Sequence, residues 1–306
     1  MHQGKQYFTG SAAAFDATNS EASLRFDPEG VRVSACANTI FVSDEYGPFL
    51  YEFSLHNGKR LRSIPLPNKF VIDLPSATPA TELAGNVFGR QSNRGMEGLA
   101  ISPDGSRLYG IMQSPLIQDG GLDASLSRVG INTRLLEINL DTGAVREFLY
   151  QLDSRSNGIS EIVAVNDQEL LVLERDGRVG AAATYKKIVK ISLAGASDIR
   201  NVAQLPTTGT PAGIAPVAKQ AFIDMLNPTF GLAGASFPEK LEGLAFGPDL
   251  EDGRHVLIVT SDNDFNASQP SRFFVFAIDR FDLPAFQPQA FARRHSRECH
   301  HEHNHH

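Results

Sequence analysis

Carboxylates recur in this chain at one place in a repeated pattern. Four times an acidic residue opens a short apolar run, and 13 to 20 residues later an acidic or amide residue closes the next run. The copies read Asp27-Pro-Glu29-Gly-Val-Arg-Val-Ser34 with Ser43-Asp44-Glu45, Gly95-Met-Glu97-Gly-Leu-Ala-Ile-Ser102 with Gln113, Gly158-Ile-Ser-Glu161-Ile-Val-Ala-Val165 with Glu174, and Leu241-Glu242-Gly-Leu-Ala-Phe246 with Ser261-Asp262-Asn263. A unit used repeatedly around an axis brings equivalent positions together, which here gathers acids. Crowded carboxylates repel one another and resist ionisation, and a hard cation relieves the conflict.

Calcium accepts six to eight oxygen ligands with tolerant geometry, so it suits such a set best, with magnesium second. The expected metal ligands are Glu29, Glu45, Glu97, Glu161, Glu174, Glu242 and Asp262. Any one of these acids alone reads as an exposed residue beside a turn; it is their common register that argues for a shared site. Arg94, Arg175 and Lys240 flank the acidic positions and, with Asn263, are the candidates for holding an anionic substrate group. Equally, each cation could only offset a neighbouring carboxylate.

Other chemistries have less support. Asp262-Asn-Asp264-Phe-Asn266 begins like an EF-hand loop, but Ala267 stands where that loop needs glycine and Phe273 where it needs glutamate. No G-x-S-x-G elbow occurs, and His56 and His255 sit at expected turns with no serine partner, so a serine triad is disfavoured.

The elements that must position the acids are hairpins. Val31–Ser34 with Thr39–Ser43, Leu99–Ser102 with Arg107–Met112, Ile159–Val165 with Glu169–Glu174, and Leu244–Phe246 with His255–Ser261 each flank turn residues. A third strand follows in every copy (49–54, 134–139, 187–192 and 272–278), and glycine turns lead three of them into a further extended segment. About four strands per unit predicts an all-β protein, a β-propeller of about six blades with four clear repeats. The uneven intervals hold extra blades or long loops, chiefly over 65–94 and 205–239, and 217–226 reads as either helix or strand.

Length and composition agree with one repeat architecture: 306 residues, 42% hydrophobic and 21% charged, without a Ser/Gly/Pro-rich linker. No apolar run approaches a membrane span, and a net charge of −7 opposes nonspecific nucleic-acid binding. The start lacks a secretory signal's apolar stretch, and Cys36 and Cys299 allow at most one bridge. The expected divisions are 1–26 as an extension or incomplete blade, 27–290 as the propeller, and 291–306 as a His-rich disordered tail.

Asp27-Pro-Glu-Gly-Val-Arg-Val-Ser34 followed by Ser43-Asp-Glu-Tyr-Gly-Pro48 resembles the phytase-like propeller family, described as having an esterase-like activity of phytase. Gly95 to Gly105, Gln113-Ser-Pro-Leu116, Ser160-Glu161, Leu173-Glu-Arg-Asp-Gly177, Leu241-Glu-Gly-Leu244 and Ser261-Asp-Asn263 are similar to that family's signatures, in order, over about 27–280. The resemblance implies an exported β-propeller, periplasmic or extracellular, with acidic residues able to hold calcium and a hydrolytic action on phosphate or other esters. The segment before Asp27 is shorter than the family's opening blade, and Gln113 stands where the family commonly has glutamate.

The expectation is therefore a calcium-binding propeller hydrolase of small anionic esters. The alternative is a non-catalytic propeller, stabilised by the same ions, that binds a ligand or protein. The oligomeric state stays open.

Overall fold

The computed structural model describes Phe8 and residues 25–291. The four repeats become four antiparallel sheets, the blades of a β-propeller. The first holds β1 (Pro28–Val33), β2 (Thr39–Asp44), β3 (Phe49–Ser54) and β4 (Arg60–Pro65). The second holds β5 (Met96–Ile101), β6 (Arg107–Met112), β7 (Asn132–Asn139) and β8 (Val145–Gln151). The third holds β9 (Asn157–Ala164), β10 (Glu169–Asp176), β11 (Lys186–Ser192) and β12 (Ala218–Asp224), and the last holds β13 (Leu241–Gly247), β14 (His255–Ser261) and β15 (Phe273–Ile278). The undecided segment 217–226 is thus a strand. The long intervals hold irregular chain, the helix α1 (Pro79–Gly85) and β12, so four of the about six expected blades lie among the described residues.

Middle strands of a blade are covered on both faces, which is why β6 and β10 read as continuous apolar runs. In β10, Leu170 and Val172 face the second blade's Tyr109, Ile111 and Phe148, whereas Leu171 and Leu173 face the last blade's Leu244, Leu257 and Val259. Successive side chains point to opposite faces, so one strand serves two interblade cores. A third core joins Phe41 and Leu50 of the first blade to Leu99, Leu108 and Leu136 of the second. The innermost strands pack in the order β1, β5, β9, β13.

Two features tie the blades near the axis. Arg32 on β1 donates to Val31 O (2.6 Å), Ile162 O (2.6 Å) and Leu244 O (3.3 Å) and pairs with Glu161 at 3.0 Å, crossing from the first blade to the third and last. On the far side, residues 283–290 form a strap. Gln287 N donates to Val165 O (2.8 Å), Asn166 Nδ2 to Ala285 O (3.1 Å), Gln289 Nε2 to Val33 O (2.8 Å) and Ala290 N to Pro103 O (2.7 Å). Phe286 packs on Phe246 and on His255, a residue expected at an exposed turn but buried here at the start of β14.

Phe8 and Phe26 pack on Tyr51 of β3, with ring centroids 4.8 and 5.3 Å away. The rest of 1–26 and of 291–306, apart from Arg25 and Phe291, lies outside the described residues, as does Cys299. No helix among the described residues is long and apolar enough to cross a membrane.

A buried ion network pins the long loops to the second blade. Arg134 on β7, fully buried, meets Asp119 through both Nε (2.7 Å) and Nη2 (2.8 Å) and Glu147 through Nη1 (3.0 Å). Asp119 also accepts Leu205 N at 2.7 Å, and Lys69 reaches Glu147 at 3.3 Å. Removing one partner from such a network strands buried charge, at a cost of about 3–5 kcal/mol. Arg134→Ala is therefore expected to lower unfolding free energy by about that amount in urea titration. A loss below about 1 kcal/mol would put the network in the class of solvent-exposed pairs.

Candidate active site at the acidic mouth

Each inner hairpin carries one extra residue on its first strand, a β-bulge that turns a side chain toward the axis. Pairing jumps from Pro28↔Asp44 to Val31↔Val42, from Met96↔Met112 to Gly98↔Ile111, from Ile159↔Glu174 to Glu161↔Leu173, and from Leu241↔Ser261 to Gly243↔Thr260. The bulges hold Glu29 with Gly30, Glu97, Ser160 and Glu242. The residue following the paired position on the second strand is then Glu45, Gln113, Arg175 and Asp262.

This register corrects the expectation for the third blade by one position. Glu161 occupies the place that glycine takes in the other copies, so it points away from the mouth. Its carboxylate accepts Leu99 N and Ile162 N, each at 2.9 Å, and pairs with Arg32. Gly98 lets the inner strands pack closely, since a Cβ there would lie 3.1 Å from the backbone carbon of Glu161 and 2.8 Å from the Ile111 side chain. Glu174 is fully buried and engaged by Tyr150 Oη (2.6 Å), Asn157 Nδ2 (2.7 Å), Asp153 N (2.8 Å) and Lys219 Nζ (3.1 Å). Neither Glu161 nor Glu174 lines the mouth cavity.

The mouth itself is a cavity of about 760 Å³. Glu29, Glu45, Glu97, Glu242 and Asp262 line it, and so do Arg94, Arg175 and Lys240, as expected from the sequence. Asp27, Ser160 and Arg128 join them unforeseen. Asp27 was in plain view in the Asp-Pro-Glu-Gly motif, but Arg128 belongs to no repeat and arrives on the loop between β6 and β7. Asn263 is not in the lining: it braces its own loop by donating to Gln269 O at 2.9 Å and accepting Phe265 N at 3.1 Å.

The cations divide in two. Arg175 donates to Ser160 Oγ (2.8 Å) and pairs with Glu242 (2.6 Å), and Lys240 pairs with Asp264, so both offset carboxylates. Arg94 donates to Gln113 Oε1 at 3.0 Å while Gln113 Nε2 donates to Glu97 at 2.5 Å. Burial and the nearby Arg128 guanidinium pull Arg94 down to about 10, and burial lowers Arg128 as well. Among the described residues neither cation makes an ion pair, although Glu45 and Glu97 act on Arg94, so both can meet an anionic guest.

Acids line the mouth at the first, second and last blades, and they crowd most closely at the first. Asp27, Glu29 and Glu45 each offer an oxygen within 4.8 Å of the others, and the Glu45 carboxyl also approaches that of Glu97. Among the described residues no N–H or hydroxyl donates to the buried Glu97 Oε2, and the Glu45 carboxyl lies within hydrogen-bond reach of the Glu97 carboxyl. Burial, then neighbouring acids, push Glu29 up to about 9, and burial with Asp27 pushes Glu45 up to about 7. Glu97 is raised well above the carboxylate range by burial, Glu45 and Glu29, and burial raises Asp27 and Glu242. An all-oxygen set with an orphaned buried acceptor fits a hard divalent cation.

The sign of the pH effect follows. Glu29 and Glu45 titrate higher folded than unfolded, so the folded chain binds more protons, and stability falls as pH rises. Chelator-treated protein should lose melting temperature from about pH 5 through the values near 7 and 9. Added calcium should displace those protons and flatten the decline. A cation-free melting temperature that climbed over this range would contradict a proton-holding cluster.

Known proteins place this geometry in a family. The sequence model of the phytase-like family, described as esterase-like activity of phytase, matches residues 4–265. An uncharacterized secreted protein of Arthroderma benhamiae is 29% identical over 305 residues, covering 79% of this chain and 58% of the relative. The chain thus spans somewhat over half of that relative's length. Solved structures of similar outline include Kuenenia stuttgartiensis hydrazine synthase (15% identity, 88% of this chain and 72% of that one, TM-score 0.35). Another is the Swd1 β-propeller domain of Myceliophteria thermophila (8% identity, 78% and 51% covered, TM-score 0.33). Over most of its length, from the first bulge through the last acidic turn, the chain belongs to the phytase-like family.

Proposed function

We propose that the acidic mouth is a calcium-dependent hydrolytic site for small anionic esters, phosphate esters first. The observation that carries this is the buried Glu97 Oε2, which no N–H or hydroxyl meets, beside three converging carboxylates, with Arg94 and Arg128 in the same cavity. Asp27, Glu29, Glu45 and Glu97 would hold the cation, with magnesium as second choice. When bound, such an ion polarises a phosphoryl or carbonyl oxygen and makes water a better nucleophile.

The chain's own residues do the rest. Arg94 and Arg128 hold the anionic group, and Gln113, fixed between Arg94 and Glu97, transmits its position to the acids. Arg175 offsets the Glu242 charge and holds its carboxylate at the cavity. The secreted relative supports an extracellular place of action, where calcium is abundant.

A second reading has an observation of its own. The Arg175–Glu242 pair links the third blade to the last, so a cation in the same mouth could serve ring stability while the cavity only binds. Glu97→Gln separates the two. For a catalytic cation, calcium-dependent turnover of a phosphate-ester and carboxyl-ester panel should fall by about 100-fold or more with most of the melting temperature retained. Calcium-dependent stability lost with no turnover to lose would favour the binding propeller. Unchanged turnover and unchanged calcium response would sink both.

A further inference from the structure

The residue after the paired position on each second strand differs in charge from blade to blade: Glu45, Arg175 and Asp262 are ionisable, and Gln113 is not. Gln113 is buried and bonded at both ends of its amide, accepting from Arg94 Nη1 at 3.0 Å and donating to Glu97 Oε1 at 2.5 Å. Its backbone is held too: Gln113 N donates to Gly95 O at 2.9 Å, and Gln113 O accepts from Ile159 N at 3.1 Å. The side chain lies over Gly158, where a Cβ would come within 3.2 Å of Gln113 Cγ and 3.8 Å of Arg94 Nη1. An amide so placed has one working orientation, because turning it over would set its N–H against the guanidinium N–H.

No charged side chain could do the same at this place. A carboxylate at 113 would neutralise Arg94 and repel Glu97, whereas a cation would neutralise Glu97 and repel Arg94. The amide satisfies both neighbours by hydrogen bonding and cancels the charge of neither. We infer that Gln113 is the specificity-determining residue of the mouth, keeping the Arg94 guanidinium for a substrate anion and the Glu97 carboxylate for a cation, side by side in one cavity. It acts through these two neighbours, as a positioning residue and an insulator between opposite charges. The inference rests on the reading of the mouth as a site for a cation and an anionic ester, and it adds the residue that sets the balance between them.

Isothermal titration calorimetry of the full-length protein at mildly alkaline pH reads the two affinities separately. Calcium is titrated into chelator-treated protein, and methylphosphonate, an anion with no hydrolysable ester bond, into calcium-saturated protein. In Gln113→Glu, calcium should bind roughly tenfold or more tightly and methylphosphonate roughly tenfold or more weakly. Gln113→Lys should move both affinities the other way, so either variant suffices if its partner fails to fold. Gln113→Leu loses both hydrogen bonds and keeps neutrality, so it should not drive the two affinities in opposite directions. A merely structural role predicts that all three variants weaken both ions together, and that result would overturn the inference, as would unchanged affinities in the charged variants. In either case a parent that binds both ions leaves the reading of the site standing. A parent that binds neither ion takes down that reading and the inference with it.

Discussion

One extra residue in the first strand of every blade governs the rest of the molecule. Without the bulge, side-chain alternation would send Glu29, Glu97 and Glu242 into the interblade cores, where an unpaired carboxylate is prohibitively costly. With it, the strand returns to register one residue later, and the apolar face resumes packing at Leu99 or Leu244 while the acid is left at the axis. The site is therefore a by-product of where the ladder is interrupted. Its carboxylates are held by the same backbone that builds the cores.

That arrangement explains why the acids are both crowded and tolerated. Asp27, Glu29, Glu45 and Glu97 lie on one side of the mouth, and the third blade answers with Arg175 and Ser160 at the matching positions. With Glu239, Glu242, Asp262 and Asp264 at the last blade, acids ring the mouth except at the third blade. Proton uptake by the acidic side and the Arg175–Glu242 pair on the other side are two solutions to one electrostatic problem.

The repeat and its hairpins were legible because alternation and turn residues such as Pro103-Asp104-Gly105 act over a few positions. Five of the seven expected metal ligands line the mouth for the same reason. Glu161 and Glu174 misled because a one-residue slip exchanges the faces of a strand, and the sequence of the third blade offers an acid in both registers. The Arg134 network and the arrival of Arg128 depend on contacts between distant loops, which no local pattern encodes. Asn263 was expected to hold a substrate group, and its side chain is consumed by its own turn.

The strap has a kinetic meaning. Its hydrogen bonds join residues 119 positions apart at Asn166 and 256 apart at Gln289. Loop closures of that length come late, after the partners have formed. Docking of 283–290 requires β1, the turn at Pro103, the turn at Val165 and the Phe246 surface to be already in place, so it registers completion of the ring. An aromatic and proline-rich segment that stays loose until then is open to proteases, and cleavage there would report chains whose blades have not yet come together.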